Sequence, residues 1–171
     1  MRYSANLNIM VKAVEEASIK TGRDFLELEI LQTNSVTAGK YANACYSRVK
    51  DILFEDLTKM RPQYNIFASD GTSVINKEDS EYSFTILPID GLGNLSRAIP
   101  DFTISIALNY HGGEGIQTVA CVIYKVIGSE LYYSENGYGS FLNNRKVKTS
   151  NRNRKEQNVL MCKYDTKIDI S

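Results

Sequence analysis

The sequence has no tryptophan, three prolines, three cysteines and a single histidine in 171 residues. Each shortage excludes something. Cys45, Cys121 and Cys162 are odd in number, far apart and outside any C-x-x-C pattern, so a disulfide framework and a zinc site are both disfavoured and reduced thiols are expected. The sole histidine, His111, lies in a glycine-rich stretch with no serine or cysteine partner implied by the sequence, and reads as an exposed turn residue. No apolar run approaches membrane-spanning length. The first seventeen residues lack a long uncharged core and a small-residue cleavage site, so a cytoplasmic protein that does not enter a membrane is expected. Twenty basic and twenty acidic side chains cancel, which removes any whole-chain argument for nucleic acid or an anionic surface.

What is present is enough for one core. A hydrophobic content of 43% in a chain of this length supports a single domain over 1–171, without internal repeat or linker. Leu7, Met10, Val11, Val14 and Ala17 recur at helical spacing after a cap at Ser4 or Asn6, with Gly22 as the predicted stop. Residues 23–32 show no clear period, and 33–35 read as a loop. A second helix is predicted over 41–60, ended by Arg61-Pro62. Strands follow at 65–69, at the run containing Phe84, Ile86 and Leu87, and at 103–110, 119–126 and 130–134, with a return at 146–149 and a last strand at 159–163 after a basic connection. Residues 74–80 read as polar and mobile. Two helices followed by consecutive antiparallel strands predict an α+β fold, helices stacked on one face of a mostly antiparallel sheet.

The organising stretch is 85–108, TILPIDGLGNLSRAIPDFTISIAL. A strand meets Pro88, which cannot donate to a ladder, and then Ile89-Asp90-Gly91 turns. Asp90 stands beside the backbone N–H groups of Gly91, Leu92 and Gly93. On local chemistry that arrangement suits a phosphate, a metal ion, a helix cap or a plain turn.

The order PIDGxxN, a proline nine residues after the glycine, then SIAL, is similar to the signature of the inositol monophosphatase family, Mg²⁺-dependent phosphomonoesterases that include the bacterial extragenic suppressor (SuhB) branch. A second segment, VIYKVIGSELYYSENGYGSFLNNRKVKTS, resembles the family's hairpin-and-glycine segment. The resemblance covers most of 5–150 and implies the amino-terminal half of that fold, the carboxy-terminal part being absent from this sequence.

The resemblance also implies a site. In the family, several carboxylates gather Mg²⁺ ions that polarise phosphate and supply hydroxide. The positions that match are Asp90 and the carbonyl of Ile89 as metal ligands, Asp70 as a shorter replacement for a glutamate ligand, Gly91, Leu92 and Gly93 as the phosphate-binding turn, and Thr37 as a vestigial catalytic threonine. Three positions depart from the pattern. Leu87 stands where the family has a bridging aspartate, Leu92 where it has a hydroxyl residue, and Lys40 where an acid assists the nucleophile. Weak or absent Mg²⁺ binding follows, and with it a protein that has lost efficient hydrolysis and acts as an interaction module. The alternative is a hydrolase with an altered or partner-completed site. Glu78, Asp79 and Glu81 form an acidic loop read as solvated. A homodimer is expected, and by analogy with SuhB a partner in the transcription machinery, with no direct nucleic-acid signal.

Overall fold

In a computed structural model of the chain, described for residues 4–31, 35–113 and 115–149, two long helices lie on one face of an eight-stranded sheet. Helix α1 (Ala5–Ile30) begins where Ser4 accepts a hydrogen bond from the backbone N–H of Leu7, 3.1 Å. It does not stop at Gly22. Thr21, Phe25 and Leu28 continue the buried line set by Ala17. A glycine in mid-helix costs about 1 kcal/mol relative to alanine, whereas burying Phe25 and Leu28 returns roughly 1.5–3 kcal/mol each.

Helix α2 (Ser35–Met60) begins six residues before the predicted start, because Ala38 and Ala42 extend the buried line of Cys45, Val49, Leu53 and Leu57. Thr37 and Lys40 therefore stand on its first turns, both exposed. Asp24 of α1 ties the pair together, paired to Arg48 at 2.8 Å and accepting from the Tyr41 hydroxyl at 3.1 Å. Asp56 of α2 has the opposite environment: its Oδ2 is buried without a hydrogen-bond partner, and burial followed by the charge of Glu16 raises its pKa.

The strands are β1 (Asn65–Ala68), β2 (Ser73–Val74), β3 (Tyr82–Asp90), β4 (Thr103–Gly112), β5 (Gly115–Lys125), β6 (Glu130–Glu135), β7 (Gly139–Leu142) and β8 (Arg145–Val147), with a short helix α3 (Leu92–Ser96) after β3. Their order is β2-β1-β3-β4-β5-β6-β7-β8, and β1–β3 is the parallel pair among antiparallel ones. Alternation sends Ile66, Phe84, Ile86, Ile106 and Val122, all fully buried, against the helices. The other face carries Phe67, Ile123 and Tyr132, each 38% exposed among the described residues. At one end of the sheet Tyr64, Tyr82 and Tyr110 form a ladder with ring centroids 5.1 and 5.2 Å apart.

Two details differ from the sequence reading. Residues 74–80 are tied down: the buried Asn65 side chain accepts from the N–H groups of Asn76 and Lys77 and donates to the Lys77 carbonyl. The glycine-rich turn is also tighter than expected, β4 running to Gly112, so that His111 is a half-buried strand residue with Nε2 2.8 Å from the buried Ser83 hydroxyl. The strand predicted at 159–163 and Cys162 lie outside the described residues. Cys45 is buried, which pushes its thiol pKa well above the ordinary value.

Candidate functional site

Parallel pairing of β1 with β3 puts the turns that follow them at the same end of the sheet. Ala68 lies opposite Ile86, and the Ser69 N–H donates to the Ile86 carbonyl at 3.0 Å. Asp70 leaves β1 at that point, and Asp90 closes β3 four residues beyond Ile86.

The Asp70 turn is held by ions and hydrogen bonds. Lys50, ten residues after Lys40 on α2, donates from Nζ to Asp70 Oδ2 at 2.6 Å. Asp70 Oδ1 accepts from the Thr72 N–H at 3.0 Å and its hydroxyl at 2.6 Å. The Lys50 ammonium and then Thr72 hold the carboxyl well below the usual carboxylate range. Beside it the Tyr46 hydroxyl lies 3.3 Å from Ser69 Oγ, with the Lys50 ammonium 5.9 Å from the Tyr46 ring centre. Sequence reasoning missed Lys50. Nothing local distinguishes it from the other lysines of an amphipathic helix; only the packing of α2 on β1 makes the pair.

The Asp90 turn is held by backbone shape. Pro88 sits in a register irregularity between Leu87 and Asp90, which lets β3 continue past a residue with no N–H to give. Ile89 is buried and Asp90 exposed. Gly91, at φ 91°, is the N-cap of α3, and no side chain caps that helix, so Asp90 does not act as its cap. A Cβ on Gly91 would lie 2.9 Å from the Asp101 carbonyl oxygen and 3.2 Å from the Phe102 Cβ. Only glycine suits both conditions. The Gly91 carbonyl accepts from the N–H groups of Asn94 and Leu95, and the Gly93 carbonyl accepts from the Ser96 hydroxyl and Arg97 guanidinium at 2.9 Å each. Leu92 and Gly93 are half-buried.

Mg²⁺ asks for several hard oxygen ligands in near-octahedral geometry. Both Asp70 oxygens already accept from Lys50 or Thr72, and among the described residues no group of three or more His, Cys, Asp or Glu could hold a metal ion. As arranged, the donors present do not suit the ion.

The family model described as the inositol monophosphatase family matches residues 10–171. The chain belongs to the inositol monophosphatase family. Among curated relatives it is 36% identical to an inositol-1-monophosphatase of Mesorhizobium japonicum over 162 residues, 95% of this chain and 59% of that one. It is 30% identical to the Nus factor SuhB of Xylella fastidiosa, over 85% of this chain and 50% of that one. The fold is similar to the crystal structure of extragenic suppressor protein SuhB from Bartonella henselae, with a TM-score of 0.76 and 34% identity over 88% of this chain and 56% of that one. This inositol monophosphatase family chain thus spans between half and three-fifths of the length of these relatives. Among the described residues no helix is long and apolar enough to cross a membrane.

Proposed function

We propose that this family member has lost efficient Mg²⁺-dependent hydrolysis of inositol-phosphate-type monoesters and works as a protein-binding module. The observation that carries the reading is the Asp70 carboxylate: both oxygens are occupied by donors of the chain itself. Leu87 and Lys40, apolar and positive where the resemblance expects acids, add to it. Thr37 is then a vestige, Asp90 and the Ile89 carbonyl are unused ligands, and the turn of Gly91, Leu92 and Gly93 is the remnant of a phosphate seat. Several relatives bear the name Nus factor SuhB, which makes transcription machinery the heterologous partner to try first. A second copy of the chain is the other expected partner.

A second reading is a hydrolase with an altered or partner-completed site. It is favoured by the placement of Asp70 just past β1 and of Asp90 as the last residue of its parallel neighbour β3, at the same end of the sheet, and by coverage of little more than half of the relatives. Calorimetric titration with Mg²⁺ in the presence of inorganic phosphate decides between them. The binding-module reading expects no saturable heat and no phosphate release from inositol 1-phosphate. Saturable micromolar binding would overturn it. In the paired variant Leu87→Asp with Lys40→Asp, metal affinity is expected to rise.

A further inference from the structure

Tyr64, Tyr82 and Tyr110 come from three neighbouring stretches of chain into one row. Tyr82 and Tyr110 stand opposite each other in the β3–β4 register, and Tyr64 immediately precedes β1. Consecutive ring centroids are 5.1 and 5.2 Å apart, so the row spans no more than about 10 Å. Its inner end rests on the core, the Tyr64 ring lying 5.5 Å from that of the fully buried Phe84. Its outer end reaches solvent, with Tyr110 36% exposed. Gly112 makes room for that end, since a Cβ there would lie 2.7 Å from Tyr110 Cε1.

Beside Tyr64 and Tyr82 lies a cleft of about 290 Å³, bordered by Lys77, Asp79 and Glu81. Its border is fixed by the chain itself. Asn65 holds the backbone of Asn76 and Lys77, and the Ser80 hydroxyl lies 2.7 Å from the Gln63 carbonyl and 2.6 Å from that of Tyr82. A cleft shaped in advance spares a ligand the cost of ordering it. Lys77, Glu78, Asp79 and Glu81 are all exposed, and their charges leave the border net negative. Arg61, on the helix side, has its guanidinium bonded to the Asn6 side chain and the Met60 carbonyl.

The ligand must be long, apolar and basic. Rings that follow one another in a row do not box in a compact cation, and an acidic border repels the phosphates of a nucleic acid. An extended proline-rich segment suits the row: one turn of a polyproline II helix takes three residues and about 9 Å, close to the span of the tyrosines. Its carbonyls are unpaired within the helix and accept from phenols. The Tyr64 hydroxyl, 3.5 Å from Asn6 Nδ2, accepts that bond and keeps its own hydrogen to donate. We infer that the tyrosine row and its acidic cleft are a docking site for a proline-rich segment of another protein, with an arginine next to the prolines set against Asp79 and Glu81. The inference rests on reading the chain as a binding module, and it names the surface and the chemistry of the partner.

Fluorescence anisotropy of a labelled peptide titrated with the full chain tests it. The probe is a capped peptide of about ten residues carrying two Pro-x-x-Pro repeats and a following arginine. Saturable micromolar binding is expected. Tyr110→Ala is expected to weaken it about tenfold with an unchanged circular dichroism spectrum. Gly112→Ala, which keeps all the tyrosines and displaces one ring, should weaken it about threefold. Glu81→Lys should weaken the arginine peptide about fivefold and leave unchanged the binding of a peptide with alanine in place of arginine, a split that a folding defect would not give. Absence of saturable binding overturns the inference, as does equal binding of a peptide whose prolines are all alanine. Displacement of the peptide by tetramethylammonium overturns it in favour of a compact-cation site. Binding that survives Tyr110→Ala and is lost in Ile123→Glu also overturns it, because the other sheet face would then be the contact. Failure of the functional reading would appear in the Mg²⁺ titration and not in the peptide titration, so the two failures are distinguishable.

Discussion

The turn after β1 and the turn after β3 end neighbouring parallel strands, and each carries an aspartate next to a glycine of positive φ. They are built on different forces. At Asp70 the side chain holds the turn: a lysine from α2 and a threonine two residues on take up the carboxylate. At Asp90 the side chain is exposed and the backbone does the holding, with Gly91 pressed against Asp101 and Phe102. One acid has become part of the scaffold. The other stands exposed at the end of its strand.

Glycine-to-alanine changes break this comparison most directly. Gly91→Ala meets both a positive φ and a carbonyl oxygen 2.9 Å from the new carbon, and is expected to cost about 2–4 kcal/mol in denaturant unfolding. Gly71→Ala, at φ 86° with nothing within 4 Å of the added carbon, should cost only about 1 kcal/mol. Equal losses would mean that backbone contact is not what separates the two turns.

A smaller effect comes from the ionic side. Lys50→Met should lower the melting temperature by about 1–3 °C at neutral pH. Because Lys50 and Thr72 depress the Asp70 pKa in the folded state, that stabilisation is present above the unfolded carboxylate pKa of about 4 and is lost as pH falls further, through the folded value. The two melting curves should therefore converge in acid. A difference that persists there would point to packing of the lysine stem instead.

Asp56 sharpens the contrast from the other direction. Its folded-state pKa is raised, so its contribution to stability is fully present below about pH 4, where the carboxyl is neutral in both states, and is lost as pH rises through the folded value. Asp56→Asn is expected to stabilise by roughly 0.5–1 kcal/mol at neutral pH, and by nothing near pH 4, in urea titrations at the two pH values.

The α+β fold was legible because both periodicities are strong: α1 and α2 repeat apolar residues at helical spacing, and β3 to β6 alternate or run apolar. The helix ends were less so. Gly22 and the weakly patterned run after it look like a boundary, and only the buried positions of Phe25 and Leu28 show why the helix continues. At the site, glycines and prolines leave local marks that place a turn at Asp70 and one near Asp90, although β3 runs through Ile89 and Asp90 and turns only at Gly91. Such marks could not locate Lys50 or the Ser83–His111 bond, whose partners are 20 and 28 residues apart and meet only through packing of helix on strand and pairing of strand with strand.

The tyrosine ladder gives the molecule an optical property. With no indole in the sequence to drain their excitation, Tyr64, Tyr82 and Tyr110 can emit on their own account, and their close ring contacts, one stacked and one tilted, should leave a coupled near-ultraviolet dichroic band. Loss of that band would report, without any label, the moment at which this end of the sheet comes apart.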